Sequence, residues 1–160
     1  MLVWRLVKAR HGAAPLAGEG ARRFGGRWNH KGTRMVYAAG SQSLAILECL
    51  VHLELSEAPA DLQAIALEIP DALARRVLAP GDLPPDWRAI PGPESLKALG
   101  TLWARDAREA VLVVPSAIIP EEVNVLLNPD HPDFALLTAR PPVPFAFDPR
   151  LYPPPVRTPK

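Results

Sequence analysis

The sequence predicts an α+β fold: one compact domain in which short strands of a mixed or antiparallel sheet pack against two main helices. Three observations indicate this fold class. The chain has 160 residues, a length that suits a single core. Two segments have apolar residues at helical spacing. The other apolar segments are short, rich in β-branched or aromatic residues, and do not alternate regularly with the helices as in a doubly wound α/β fold.

The predicted elements follow from these patterns. The first helix is expected over residues 42–55 with Ser41 as its N-cap, and the second over residues 96–107 with Ser95 as its N-cap. A shorter helical turn is expected at residues 71–77. The predicted strands cover six segments, at residues 2–6, 34–38, 62–69, 110–114, 123–127 and 134–138.

Proline is the most unusual part of the composition, with 20 residues, of which eight fall within the last 21. A proline-rich segment of this kind cannot form a helix and is expected to run extended over the surface. We therefore expect the domain to cover residues 1–152 and a proline-rich tail to cover residues 153–160.

Basic residues are concentrated near the start of the chain. Residues 1–34 hold eight lysines and arginines against the single acid Glu19, a local charge of +7 in a chain whose net charge is +1. Such an excess suits nucleic acid, an anionic small molecule or a solvated face. The stretch is rich in glycine, which predicts a loop rather than a recognition helix with interleaved aromatic residues. A small phosphorylated ligand is therefore favoured, and direct binding of nucleic acid is not expected.

Several absences narrow the class of protein. The single cysteine, Cys49, excludes an internal disulfide and a cysteine-based zinc cluster. No apolar run approaches the ~20 residues of a membrane-spanning helix, and Arg5, Lys8 and Arg10 interrupt any signal-peptide core. The phosphate-binding loop of ATPases, paired metal-binding histidines and the Rossmann glycine motif are missing. We expect a soluble, cytoplasmic protein with no metal and no membrane contact.

The segment Phe24-Gly-Gly-Arg-Trp-Asn29 is the first candidate site. Its paired glycines allow positive φ angles or a close approach to a ligand. Arg27 would then project from a tight turn, with a planar group suited to a phosphate or a carboxylate. In the alternative interpretation this is an ordinary basic turn whose Trp28 fills the core.

Glu48 is the second candidate because of the face on which it lies. In the helix predicted over residues 42–55 it shares a face with Leu44, Ala45 and Val51. A carboxylate within an apolar stripe is costly unless it is paired. Glu48 is therefore either the structural partner of a buried arginine or a working acid that faces a cleft, and the pattern leaves both interpretations open.

Four further candidates lie on or beside predicted strands. Arg5 lies within an apolar strand, where its charge needs a partner unless the strand is an edge and the side chain faces water. Tyr37 is typical of a core aromatic residue. Ser116 ends a strand, where side chains often enter a cleft, but it lacks the glycine pattern of a nucleophile elbow. Asn124 begins a segment whose polar residues could simply cap turns.

Taken in order, these motifs resemble those of the RES domain family, named for its Arg, Glu and Ser. The resemblance runs from about Trp4 to Arg150 and implies a fold similar to that of ADP-ribosyltransferases. It also implies a toxin of a bacterial toxin–antitoxin pair, with an Xre-type helix-turn-helix antitoxin as its partner. The matching segments are Trp4-Arg5, Gly25-Gly-Arg-Trp-Asn29, Gly32, Val36-Tyr37, Ser41, Ala45, Glu48, Val114-Pro-Ser-Ala117, Asn124, Asn128-Pro and His131-Pro-Asp-Phe134.

The resemblance further implies an enzyme that consumes NAD+ as a substrate and holds no cofactor. Members of the family degrade NAD+, and some transfer ADP-ribose to a protein. The resemblance implies Arg5, Arg27, Tyr37, Glu48 and Ser116 as catalytic residues, although Ser116 is not assigned as a nucleophile. The implied NAD+-binding residues are Arg5, Arg27, Trp28, Tyr37 and Asn124.

The chemistry of NAD+ suits these residue types. Arg27 can bind the diphosphate through paired hydrogen bonds. Positive charge develops on the ribose as nicotinamide leaves, and an ionised Glu48 can stabilise that charge. Tyr37 offers a ring on which nicotinamide can stack. The acceptor stays open between water, phosphate as a co-substrate, and a protein side chain. Self-association also stays open, as does a non-enzymatic module that binds partners through its basic segment and proline tail.

Overall fold

A single eight-stranded mixed sheet forms the body of the protein, seen in a computed structural model that describes residues 1–9, 15–53 and 61–151. The strands of this described part are β1 (Leu2–Lys8), β2 (Val36–Ala39), β3 (Leu62–Glu68), β4 (Arg75–Val77), β5 (Val111–Pro115), β6 (Val123–Leu127), β7 (Thr138–Ala139) and β8 (Val143–Phe145). Their order in the sheet is β4-β5-β6-β2-β1-β3-β7, and β8 also pairs with β3. Only β4 and β5 run parallel, so the predicted α+β class with a mixed sheet is confirmed.

Three helices accompany the sheet in the described residues: α1 (Glu19–Phe24), α2 (Gln42–Leu50) and α3 (Glu94–Asp106). The predicted N-cap of α2 is confirmed, because the Ser41 hydroxyl accepts a hydrogen bond from the Leu44 amide at 3.1 Å. The predicted N-cap of α3 is wrong. Pro93 takes that position with extended backbone, and Ser95 lies inside the first turn, where Glu94 provides the negative charge that a helix start favours.

α2 is shorter than the sequence predicts. It ends at Leu50, residues 51–53 form a turn, and the last two residues of the predicted helix lie outside the described part of the chain. α1 forms where the glycine content predicts a loop. Its single acid, Glu19, accepts hydrogen bonds from Arg22 and Arg23 one turn later, and such pairs stabilise a short helix.

Two further predictions are wrong. The helical turn expected at residues 71–77 is a strand at its end, because β4 pairs with the apolar β5 from Arg75↔Val111 onwards. The strand expected at residues 134–138 is mostly a 3-10 turn at Pro132–Leu136. This turn is favoured by the proline at its start and by His131, whose Nδ1 accepts a hydrogen bond from the Asp133 amide.

The core occupies both faces of the sheet. One face carries the alternate valines of β1 and their neighbours in β2, β5 and β6, and it is covered in part by Phe134 and Leu137. The opposite face packs against α3 through Leu96 and Trp103. α2 lies on that same face, where its buried residues meet Ala39. α2 therefore lies over Ser116, at the end of β5, and Asn124, near the start of β6.

The proline-rich end of the chain is extended where the structure describes it. β8 pairs with β3 over Val143–Phe145, which confirms the extended prediction there, and Pro149–Leu151 forms one 3-10 turn. The predicted tail at residues 153–160 lies outside the described residues, so the predicted domain boundary stays a prediction. None of the helices within residues 1–9, 15–53 and 61–151 has the length and apolar character to span a bilayer.

Candidate active site

Glu48 lies where three elements meet. α2 carries it, Ser116 follows the end of β5, and Asn124 lies on β6 opposite Val114. The Glu48 Oε1 atom accepts hydrogen bonds from the Ser116 hydroxyl at 2.9 Å and from the Asn124 amide at 2.5 Å. No described arginine or lysine forms an ion pair with Glu48. The arrangement therefore contradicts a role as the salt-bridge partner of a buried arginine within the described part of the chain.

We call these three residues the Glu48 cluster: Glu48, Ser116 and Asn124. The hydroxyl of its serine is engaged in three hydrogen bonds. Ser116 is fully buried, and its hydroxyl also accepts hydrogen bonds from the amides of Ile118 and Ile119 at 3.1 and 3.2 Å. One donated and two accepted bonds use the hydroxyl completely. This agrees with the view that Ser116 is not a nucleophile.

Ser116→Ala is expected to lower the free energy of unfolding by about 2 kcal/mol, because it leaves the Ile118 and Ile119 amides without an acceptor. Denaturant unfolding of the purified protein measures this loss. Ser43→Ala serves as the control, since Ser43 is an exposed serine on α2, and we expect a change below about 0.5 kcal/mol. Equal stability of the two variants would contradict the assigned role of the Ser116 hydroxyl.

Tyr37 closes the glycine turn that precedes it in the chain. Its hydroxyl donates to Asn29 Oδ1 at 2.7 Å and accepts from the Trp28 amide at 3.1 Å. Gly26 permits this contact, because a Cβ at that position would lie 2.5 Å from the Tyr37 hydroxyl oxygen. Burial raises the pKa of Tyr37 well above its usual value, so the phenol stays protonated.

Asn29 stabilises the same turn from inside. It is fully buried, and its Nδ2 donates to the carbonyl oxygens of Ala21, His30 and Thr33. Trp28 is 2% exposed and fills the core beside α3. The structural interpretation of this motif is therefore confirmed for Trp28, while its predicted contact with NAD+ stays a prediction.

Arg27 lies half-buried at the surface beside this turn. Trp28 and Asn29 point into the protein, and Arg27 extends across the surface until its Nη1 donates to the Trp87 carbonyl at 2.8 Å. Gly92 allows its stem to pass closely, because a Cβ there would lie 3.1 Å from Arg27 Cγ. The remaining guanidinium donors bond to no described residue and stay available to an anion.

The Arg5 side chain is held at a place where β1 and β2 form little pairing. β1 and β2 pair only at Trp4 and Ala39, and the Tyr37 carbonyl further along β2 accepts from Arg5 Nη1 at 2.6 Å. β1 lies between β2 and β3, so the edge-strand alternative is wrong. Arg5 Nε is buried with no hydrogen-bond partner among the described residues, and burial lowers the pKa of the guanidinium.

The structure brings Tyr37 and the Glu48 cluster close to one another across β2 and β6. Tyr37 pairs with Leu126 and Ala39 pairs with Asn124, so the Tyr37 side chain and the Glu48 cluster lie on the same face. Tyr37 and the Asn124 position are offset by two residues along the strand, or about 7 Å. Two surface cavities of the described structure, of about 350 and 330 Å³, are lined by none of the predicted site residues. No group of His, Cys, Asp and Glu in the described chain is arranged to hold a metal ion.

Sequence reasoning missed Arg88. Its Nε donates to the Ala117 carbonyl at 3.1 Å, directly after the serine of the Glu48 cluster. No motif or periodicity marks this arginine, because it lies in a proline-rich loop between β4 and α3. Only the folded structure places it beside the site.

Comparisons with known proteins agree with this architecture. Residues 2–148 match the family described as the RES domain. Toxin Res of Yersinia enterocolitica is 42% identical over 152 residues, which cover 94% of this chain and 99% of the relative. The Prs ADP-ribosylating toxin of a Sphingobium species is also 42% identical over 152 residues, which cover 92% and 94%.

A solved structure shows the same fold. The crystal structure of the M. tuberculosis MbcT-MbcA toxin-antitoxin complex includes a chain that superposes with a TM-score of 0.73 at 24% identity. The alignment covers 90% of this chain and 83% of that one. The domain match covers all the predicted site residues, and the alignments with the two toxins cover more than nine tenths of the chain. The chain belongs to the RES domain family.

Proposed function

We propose that the chain is a toxin that breaks the bond between nicotinamide and ribose in NAD+. The observation that carries this proposal is the state of Glu48. Its carboxylate is held by two neutral donors at Oε1, and Oε2 bonds to no described residue. The carboxylate is therefore fixed in position, and its Oε2 atom remains available to a substrate.

The chemistry needs little else at the reacting bond. When the C–N bond breaks, its electron pair leaves with nicotinamide, which becomes neutral, and positive charge develops on the ribose. A fixed carboxylate beside that ribose stabilises the transition state more than the ground state. Arg27 provides donors for the diphosphate, and it directly precedes Trp28, whose amide bonds to the Tyr37 hydroxyl.

Transfer of ADP-ribose to a protein is the second candidate. One relative at 42% identity is named as an ADP-ribosylating toxin, and its alignment covers 92% of this chain. The same bond breaks in both reactions, and only the acceptor differs. The Glu48 cluster therefore serves either reaction equally well, and the acceptor decides between them.

An antitoxin is the proposed protein partner. The structural neighbour was solved as a toxin-antitoxin complex, and the RES family relatives are named as toxins. We assign the partner to the Xre-type helix-turn-helix class and place the activity in the cytoplasm. DNA contact would then belong to the antitoxin rather than to this chain.

Turnover of NAD+ by the purified protein, freed of any antitoxin, tests the proposal. We expect NAD+ to disappear and nicotinamide to appear in equal amount, measured by chromatography with and without added phosphate. A phosphate requirement would identify a phosphorylase, and turnover without phosphate would identify a hydrolase. Radiolabel transferred from NAD+ to a lysate protein, without free turnover, would favour ADP-ribosylation. No reaction in any arm would contradict both and leave a binding module.

A further inference from the structure

The loop between β4 and α3 contacts the residue that follows Ser116 of the Glu48 cluster. Leu83 and Trp87 are buried in the core cluster beneath α3 and fix the loop to the body of the protein. A backbone turn links them, with the Trp87 amide donating to the Pro84 carbonyl at 2.9 Å. The residue after Trp87 is therefore held on a rigid support, although its own side chain is exposed.

Consecutive residues of this loop hold two arginines from different directions. The Trp87 carbonyl accepts from Arg27 Nη1 at 2.8 Å. The next residue, Arg88, donates through Nε to the Ala117 carbonyl at 3.1 Å. Ala117 follows the serine that donates to Glu48. Residues 87 and 88 therefore connect the Arg27 turn to the residue that follows Ser116.

Both guanidinium groups keep most of their donors. Each is fixed by a single hydrogen bond to a carbonyl oxygen, and neither forms an ion pair with a carboxylate of the described residues. The bond of Arg88 uses Nε, so both of its terminal nitrogens remain free within the described structure. Two planar cations fixed in this way suit an anion with two adjacent phosphates, since each can bind one phosphate with paired hydrogen bonds.

We propose that Arg88 binds the diphosphate of the dinucleotide substrate together with Arg27. This inference rests on the proposed function, because it names a binding residue for the same substrate. Arg88 is expected to act on affinity. It bonds to Ala117, the residue after Ser116, and forms no hydrogen bond with the Glu48 carboxylate. Its removal should weaken binding and leave the reacting bond unaffected.

Arg88→Gln is expected to raise the KM for NAD+ by about tenfold and to leave kcat within about twofold, because one charge-assisted pair of hydrogen bonds is lost. Arg88→Lys should show an intermediate KM, since it keeps the charge without the planar group. The matched control is Arg105→Gln, an exposed arginine at the end of α3, with an unchanged KM. Thermal unfolding checks that all three variants fold.

Two further measurements distinguish the possible causes of a raised KM in Arg88→Gln. Nicotinamide riboside, which has the reacting bond and no phosphate, should be cleaved equally by Arg88→Gln and by the unaltered protein. A slower reaction with this substrate would mean that Arg88 positions Ser116 and Glu48 instead, and it would overturn the proposal. The second is calorimetric titration with ADP-ribose, which does not depend on turnover.

ADP-ribose is expected to bind the Arg88→Gln variant about tenfold more weakly than the unaltered protein. If the unaltered protein binds ADP-ribose in this way but leaves NAD+ intact, the proposed reaction fails while the assignment of Arg88 holds. Equal affinity of the two proteins, or no detectable binding by the unaltered protein, would overturn the assignment.

Discussion

Glu48→Gln is expected to lower the rate of NAD+ cleavage by about a thousandfold, equivalent to about 4 kcal/mol of transition-state stabilisation. The substitution removes the charge of the carboxylate that bonds to Ser116 and Asn124 where α2, β5 and β6 meet. Without that charge, the ribosyl cation has no electrostatic partner as nicotinamide leaves. Initial rates at saturating NAD+ measure the effect.

The fold is expected to survive this substitution. The amide oxygen of a glutamine can accept the same hydrogen bonds from Ser116 and Asn124, so the free energy of unfolding should change by less than about 1 kcal/mol. Glu122→Gln is the matched control. Glu122 accepts a hydrogen bond from Ser41 at 2.7 Å in the same region, and glutamine keeps that acceptor. Its activity should be close to that of the unaltered protein.

Three outcomes are then distinguishable. Loss of activity in Glu48→Gln alone supports the electrostatic role. Normal activity in that variant would remove Glu48 from the mechanism. Equal losses in Glu48→Gln and Glu122→Gln would indicate a structural dependence of the loop between β5 and β6, since both residues bond to it or extend from it.

The sequence identifies Glu48, Ser116 and Asn124 as candidates but not the contacts between them. Ser41 and the apolar spacing of α2 are local signals, and both are confirmed in the structure. Ser116 and Asn124 meet Glu48 because β5 pairs with β6 in the register Val114↔Asn124. That register depends on pairing across the sheet, and no local pattern in either strand specifies it.

The wrong element predictions have two different origins, one in sheet pairing and one in a local signal that was overlooked. Residues 75–77 contain two arginines and a valine, a local pattern that favours no secondary structure strongly. They form a strand because they pair with β5. The 3-10 turn at Pro132–Leu136 has the apolar content of a strand, yet Pro132 and the His131 cap favour a turn. Arg88 shows the limit most clearly, because its contact with Ala117 joins residues 29 positions apart through two loops.

Gly100→Ala is expected to cause the largest loss of stability, about 3 kcal/mol or more. Gly100 is buried in the middle of α3, at the point where the helix crosses the turn that contains Trp28. A Cβ there would overlap the Trp28 carbonyl oxygen and lie 3.0 Å from its carbonyl carbon. Both atoms belong to the backbone, so no side-chain rotation can relieve the overlap.

The Trp28 turn cannot move away cheaply. The indole is buried in the core, the Trp28 amide donates to the Tyr37 hydroxyl, and Asn29 bonds to three carbonyl oxygens. Displacing the turn would break these contacts, and displacing α3 would open the core around Leu96. Either response loses packing that this face of the sheet depends on.

A second helical glycine provides the control. Gly20 lies within α1, and a Cβ there would meet no atom within 4 Å. Gly20→Ala should therefore raise the free energy of unfolding by about 0.5–1 kcal/mol, the ordinary gain of alanine over glycine in a helix. Denaturant unfolding of both variants gives opposite signs if the overlap with Trp28 governs Gly100. A gain in both would show that α3 and the turn adjust freely.

The same contact links stability to the site. Arg27 precedes Trp28, so a shift of the turn moves the guanidinium relative to the Trp87 carbonyl and to Arg88. Gly100→Ala protein that remains folded at low temperature should consequently bind ADP-ribose more weakly, while Gly20→Ala binds normally. Normal ADP-ribose affinity in Gly100→Ala would mean that α3 shifts and the turn does not. The position of Arg27 would then not depend on α3.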